Sequence, residues 1–125
     1  MIKQNIDRAA SRIRKYVQKT PFEKSEMISK MTGAEVWLKM ENQQHTGSFK
    51  FRGAMNKMLT LSQQQLDSGI YAASTGNHGA AVAYASQILK VPCIVYVPEK
   101  KQSTLRKVLN IPEDMFIYGF HQANR

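Results

Sequence analysis

Lys50 stands between Phe49 and Phe51 in the stretch TGSFKFRGA, Thr46 to Ala54. A lysine amine adds to carbonyl compounds to form Schiff bases, and the reacting form is the neutral amine. Apolar surroundings disfavour an ammonium, so enclosure of the amine by the two flanking phenyl groups would suit that chemistry. A flat aromatic beside an amine also supports a planar heterocycle. A solvated first-turn lysine fits the same spacing, so these residues alone leave both readings open.

A second constellation is STGNHG, Ser74 to Gly79. Small residues let the backbone approach a ligand closely, and a helix opening here would offer free N–H groups and a positive dipole end. Ser74 and Thr75 add hydroxyls, and Asn77 adds a donor and an acceptor. The chemistry is that of a carboxylate or phosphate cradle. Capping of a helix by Ser, Thr or Asn explains part of the same pattern. The stretch is neither a P-loop nor a GxGxxG fingerprint. His78 has no second ligand at metal spacing, and His45 and His121 lie far off in sequence, so no metal site is expected. Paired carboxylates for glycosidase chemistry and a GxSxG nucleophile turn do not stand out.

The elements that must hold these residues are legible from periodicity. Residues 2–17 read as a basic amphipathic helix with Ile6, Ala9, Ala10, Ile13 and Val17 on one stripe, ended by Thr20-Pro21. Residues 25–31 read as a short helix closed near Gly33. EVWLKME, Glu35 to Glu41, alternates as a strand, and 49–61 reads as a helix. Residues 70–73 form a short apolar strand and 80–89 a buried helix. CIVYV, Cys93 to Val97, is bounded by prolines and reads as a strand buried on both faces. A helix over 103–109 and a strand over 115–118 complete the run. Trp37 and Tyr96 fall on strands and are expected to be packing residues. Alternation of strand and helix predicts an α/β fold with a parallel sheet flanked by helices.

The 125 residues are 42% hydrophobic, enough for one small core. The net charge of +9 favours anionic partners. Residues 1–30 hold eight Lys/Arg against three Asp/Glu, which a solvated helix face also explains. A nucleic-acid binder lacks support, because no recognised motif or interleaved aromatics accompany the charge. Cys93 is the one cysteine, which excludes an internal disulfide and fits a reducing, cytoplasmic setting. No apolar run reaches membrane-spanning length.

LKMENQQHTGSFKFRGAMNKM together with ASTGNHGAAVAYAS resembles the fold-type II pyridoxal-phosphate enzymes, in particular the threonine/serine dehydratase and serine racemase branch. Weaker stretches, RIRKYVQKTPFEKSEMISKMTGAEV and VPCIVYVPEK, follow in the right order, so the likeness covers about residues 5 to 100. The resemblance implies a truncated tryptophan synthase beta-like fold. Residues 1–45 would be an arm and first strand of a larger, absent domain, and 46–125 a small cofactor-side domain. It implies pyridoxal 5'-phosphate as cofactor, with Lys50 as its Schiff-base lysine and the proton shuttle at the substrate's α-carbon. Phe49 would pack on the cofactor ring and Asn77 would bond its phenolic oxygen. Ser74, Thr75, Gly76, Asn77 and His78 would bind the substrate carboxylate. Racemases carry at the Thr75 position a serine that protonates the opposite face. Threonine there leans toward β-elimination of threonine or serine to a 2-oxo acid and ammonia. The family's glycine-rich phosphate loop and the residue facing the pyridine nitrogen lie further downstream. This chain is therefore expected to be a fragment or a shortened product, active or an inactive remnant that binds a small anion or a partner. A small hydroxy-amino-acid substrate and a homo-oligomer are the partners implied, with no membrane and no specific nucleic acid.

Overall fold

The structure is a computed structural model and describes residues 1–74, 76–98 and the strand 116–120. The expected helix over 103–109 lies outside the described residues, as does Thr75.

Helix α1, Ile2–Ile13, is shorter than its apolar stripe predicts. Only Ile13 of this helix is buried, and Ile6 is 61% exposed. Val17 reaches the core from the non-helical segment that follows. An unpredicted strand β1, Phe22–Lys24, pairs antiparallel with β2, Trp37–Lys39. Between them lies α2, Glu26–Thr32, capped by Ser25 Oγ accepting from Ile28 N and closed by Gly33 at φ 70°. The left-handed φ is why glycine stands there. β2 is trimmed to three residues, and Trp37 is half-exposed and stacked on Phe22 at 5.4 Å rather than packed in a core.

After a 3₁₀ turn at Glu41–Gln43, α3 spans Lys50–Met58 and the short α4 Gln63–Asp67. Then come β3, Ile70–Ala73; α5, Asn77–Leu89; β4, Cys93–Pro98; and β5, Phe116–Phe120. The three strands form a parallel sheet in the order β3-β4-β5. This is the predicted class, α/β with a parallel sheet.

The core is a large-against-small fit. Phe51, Met55 and Met58 of α3 meet Ala81, Val82, Ala83 and Ala85 of α5, and α5 in turn covers Val95 and Val97 of β4. Alanines on α5 let the helix axes approach, and the bulky residues of α3 fill what remains. β4 departs from expectation. Cys93, Val95 and Val97 are buried, but Tyr96 between them is 39% exposed, so burial alternates along the strand. Burial raises the Cys93 thiol above its ordinary pKa, which leaves it a packing group.

Candidate functional site

The backbone delivers the two constellations to one end of the parallel sheet. Gly47 at φ 68° turns the loop that leads into α3, and Ser48 Oγ accepts from Lys50 N at 3.4 Å. Lys50 is the first residue of α3. The second constellation follows β3 directly, at the carboxyl end of the strand, where open α/β sheets place their ligands.

A cleft of about 820 Å³ runs beside β3 and α3. Phe49, Lys50, Ala73 and His78 line it near the Ser74 loop, and Gln65 and Gly69 line it at the other end of β3. The structure thus brings Phe49, Lys50 and His78 together. Asn77 opens α5 beside His78 and is exposed, but it is not part of the cleft wall.

One expectation needs correction. Phe49 and Phe51 do not enclose the lysine. Phe51 is fully buried, Phe49 is 61% exposed, and Lys50 is itself exposed. Successive helical residues differ by about 100° in direction, so a single helix turn cannot aim both rings at one amine. The amine rests over the Phe49 ring alone, at 5.0 Å from its centre. Among the described residues no carboxylate pairs with it.

The loop after β3 bears on an ambiguity of the sequence. Capping would use up the free N–H groups at the start of α5, yet the N-cap is Gly76 and no side-chain cap is made among the described residues. Ser74 Oγ instead accepts from Gly76 N at 3.4 Å. The first-turn N–H groups of α5 remain available to an anion. A Cβ added at Gly76 would meet nothing within 4 Å, so there is open space beside this backbone. Gly79 is the opposite case. A Cβ there would lie 3.1 Å from Ser74 O and 3.1 Å from Val95 Cγ1. Gly79→Ala is therefore expected to cost about 1–3 kcal/mol and to push the Ser74 loop outward. Thermal denaturation and anion titration check this; a variant matching the parent in both would show that the packing is slack.

Sequence reasoning missed the residues that tie this region down. Arg52 Nε donates to Glu41 Oε2 at 2.8 Å and Nη2 to Glu41 Oε1 at 2.7 Å, a two-pronged ion pair. Thr20 Oγ1 donates to the same Oε1 at 2.6 Å. Arg52 Nη2 also reaches Gln18 O at 3.1 Å, and Lys39 Nζ donates to Thr20 O at 2.6 Å. Buried Gln44 accepts from Gln18 N at 2.9 Å and donates to Gln18 O at 3.1 Å. The available signal was an acid and an arginine flanking the lysine loop, eleven residues apart.

The arginine's hydrogen bonds are the main reason Glu41 falls from an ordinary 4.5 to about 2, with burial opposing and the Thr20 hydroxyl and Lys39 assisting. The same pairing raises Arg52. A depressed acid contributes stability in full above its unfolded pKa and loses it as pH falls through the folded one. Up to about 3 kcal/mol should therefore drain away between pH 4.5 and 2. Urea midpoints across that range check it. Glu41→Gln is expected to flatten this part of the profile; parallel profiles would place the titration elsewhere.

Comparison with known proteins identifies the family. Residues 13–111 match the family model described as "Pyridoxal-phosphate dependent enzyme", and the chain belongs to that family. Within it, the chain sides with the threonine/serine dehydratase and serine racemase branch of fold type II. It is 44% identical over 99 residues to a serine racemase of Dictyostelium discoideum, covering 79% of this chain and 31% of that protein. It is 38% identical over 117 residues to an L-threonine ammonia-lyase of Thermotoga maritima, covering 93% and 29%. Among solved structures, the Dictyostelium discoideum serine racemase superposes with a TM-score of 0.84 at 36% identity, covering 94% of this chain and 38% of that one. Maize serine racemase gives 0.83 at 32% identity, covering 96% and 36%. The chain thus spans about a third of the length of these relatives.

The family's cofactor is pyridoxal phosphate, and the residues present suit it. A primary amine with no carboxylate partner among the described residues answers its aldehyde. The largely exposed ring of Phe49 beside that amine answers a flat ring. No helix among the described residues is long and apolar enough to cross a membrane.

Proposed function

We propose that this chain carries the lysine-bearing part of a pyridoxal-phosphate-dependent lyase that converts threonine or serine into a 2-oxo acid and ammonia. The observation that carries the reading is the shared cleft of Lys50 and His78, the latter in the uncapped first turn of α5. Residues 46–125 form the cofactor-side unit in this reading, and residues 1–45 belong with a larger domain. That division is supported by the separate β1-β2 sheet and the parallel sheet that follows it.

When bound, the cofactor supplies an electron sink for the pair left at the substrate's α-carbon. The protein's own contribution is positional and acid–base. Lys50 would hold the cofactor through its amine and would be the base for the proton on the substrate's α-carbon. Phe49 would support the ring, and Asn77, at the start of α5, would donate to the phenolic oxygen. Ser74, Thr75, Gly76, Asn77 and His78 hold the substrate carboxylate, helped by the free N–H groups of α5. Lys50 works from one face. A racemase needs a second proton donor on the opposite face. Threonine at 75 offers a more hindered hydroxyl than serine, which favours elimination.

The test is direct. The chain is incubated with pyridoxal phosphate and L-threonine or L-serine, and 2-oxo acid and D-isomer are measured together. Release of 2-oxo acid without D-isomer is expected. D-isomer as the main product would reassign the reaction to racemisation. Cofactor capture without turnover would leave a binding domain.

A further inference from the structure

We propose that Glu41 and Arg52 are positioning residues for Lys50, acting as a clasp that holds the first turn of α3 so that the amine faces the cleft. This rests on the reading of Lys50 as the cofactor-bearing lysine.

The first turn of a helix is its most easily frayed part, and in this one Phe51 alone buries its side chain. Its N-cap, Phe49, makes no side-chain cap hydrogen bond. The preceding loop contributes one long contact, Ser48 Oγ with Lys50 N at 3.4 Å, and leaves the buried Thr46 hydroxyl without a partner among the described residues. Phe51 anchors that turn from the core side, and below it α3 is fixed by Ala54, Met55 and Met58, all buried. The reactive residue lies above these anchors.

Arg52 adds a second restraint, through its side-chain hydrogen bonds. Residues two apart on a helix point about 200° away from one another. Lys50 lines the cleft beside β3, whereas Arg52 lines a separate groove under α1. Its two bonds to Glu41 and its third to Gln18 O fasten the helix to both the 3₁₀ turn and the N-terminal arm. Glu41 is held in turn by Thr20 Oγ1. A planar guanidinium gripping both carboxylate oxygens resists rotation, which a single point contact does not. The segment from the loop into the first turn of α3 is therefore pinned at both ends, by Gln44 before Lys50 and Arg52 after it.

Two readouts test this on the 125-residue chain. The first is hydrogen exchange at the Arg52 amide, which donates to Phe49 O at 3.1 Å in the first turn. Glu41→Gln is expected to speed it about tenfold or more while the amides of β4 stay protected. The second is the rate of covalent capture of pyridoxal phosphate at Lys50 relative to exposed Lys30 in the same molecule. Water leaves as the amine joins the aldehyde carbon, and borohydride supplies the hydride that fixes the bond. A misplacement of about 1 Å costs on the order of 100-fold. The Lys50-to-Lys30 ratio is expected to fall about tenfold or more in Glu41→Gln. Arg52→Lys, which keeps the charge but loses the fork, should fall by less and serves if the first variant folds poorly. Global unfolding would level the two lysines as well, but it would also deprotect the β4 amides, so a fallen ratio with β4 still protected isolates the clasp. Unchanged ratios and exchange in the variants would overturn the clasp and leave the cofactor reading intact. If Lys50 reacts no faster than Lys30 in the unaltered chain, the cofactor reading fails and the clasp falls with it.

Discussion

Lys50→Ala is expected to abolish cofactor capture and to lower turnover of threonine or serine by at least about 10²–10⁴-fold, the usual worth of a positioned proton-transfer group. On the proposed function, two roles disappear with one side chain. The amine that bonds the aldehyde is gone, and so is the base at the α-carbon. Stability should hardly change. Lys50 is exposed and makes no ion pair among the described residues, and such surface positions move stability by about 0.5 kcal/mol or less. The pairing of an intact melting curve with a missing visible cofactor band is the diagnostic result. An intact band in Lys50→Ala would move the chemistry to another lysine.

The neighbouring position should behave in the opposite way. Phe51→Ala is expected to cost about 3–5 kcal/mol. Its ring is fully buried and meets His45 edge-on at 5.5 Å and Tyr84 at 5.2 Å. Small domains hold about 5–15 kcal/mol in all. The variant should therefore melt roughly 12–40 °C earlier, on a scale of about 4–8 °C per kcal/mol. Phe49→Ala is the control, because that ring is 61% exposed. It should leave the melting curve nearly unchanged and loosen the cofactor instead. Equal melting of the two variants would contradict the burial contrast on which the site rests.

That contrast also marks where the sequence stopped being informative. The motif around Lys50 reads symmetrically, with one phenylalanine on each side. Only the helix phase sends Phe51 inward and leaves Phe49 at the cleft. Elements with strong local signals were legible. β3 and β4 fall where apolar runs placed them, and Ser25 and Gly33 bracket α2 as their chemistry requires. β1 was invisible, since three exposed residues paired with a distant partner leave no periodicity. α1 stops at Ile13 although its stripe continues to Val17. The ion pair of Glu41 with Arg52 was hidden for a related reason. Neither residue is unusual alone, and its meaning comes from a contact that only the folded arm creates. The loop before α5 was ambiguous between capping and anion binding, and the uncapped Gly76 keeps the N–H groups that the second of these needs.

Peptide mapping after borohydride reduction tests the central assignment most directly. The unaltered chain is mixed with less than one equivalent of pyridoxal phosphate, reduced, digested and read by mass spectrometry. The label is expected on the peptide that carries Lys50, with little elsewhere despite the other exposed amines, including Lys24 and Lys30. Label scattered among the surface lysines in proportion to their exposure would contradict it.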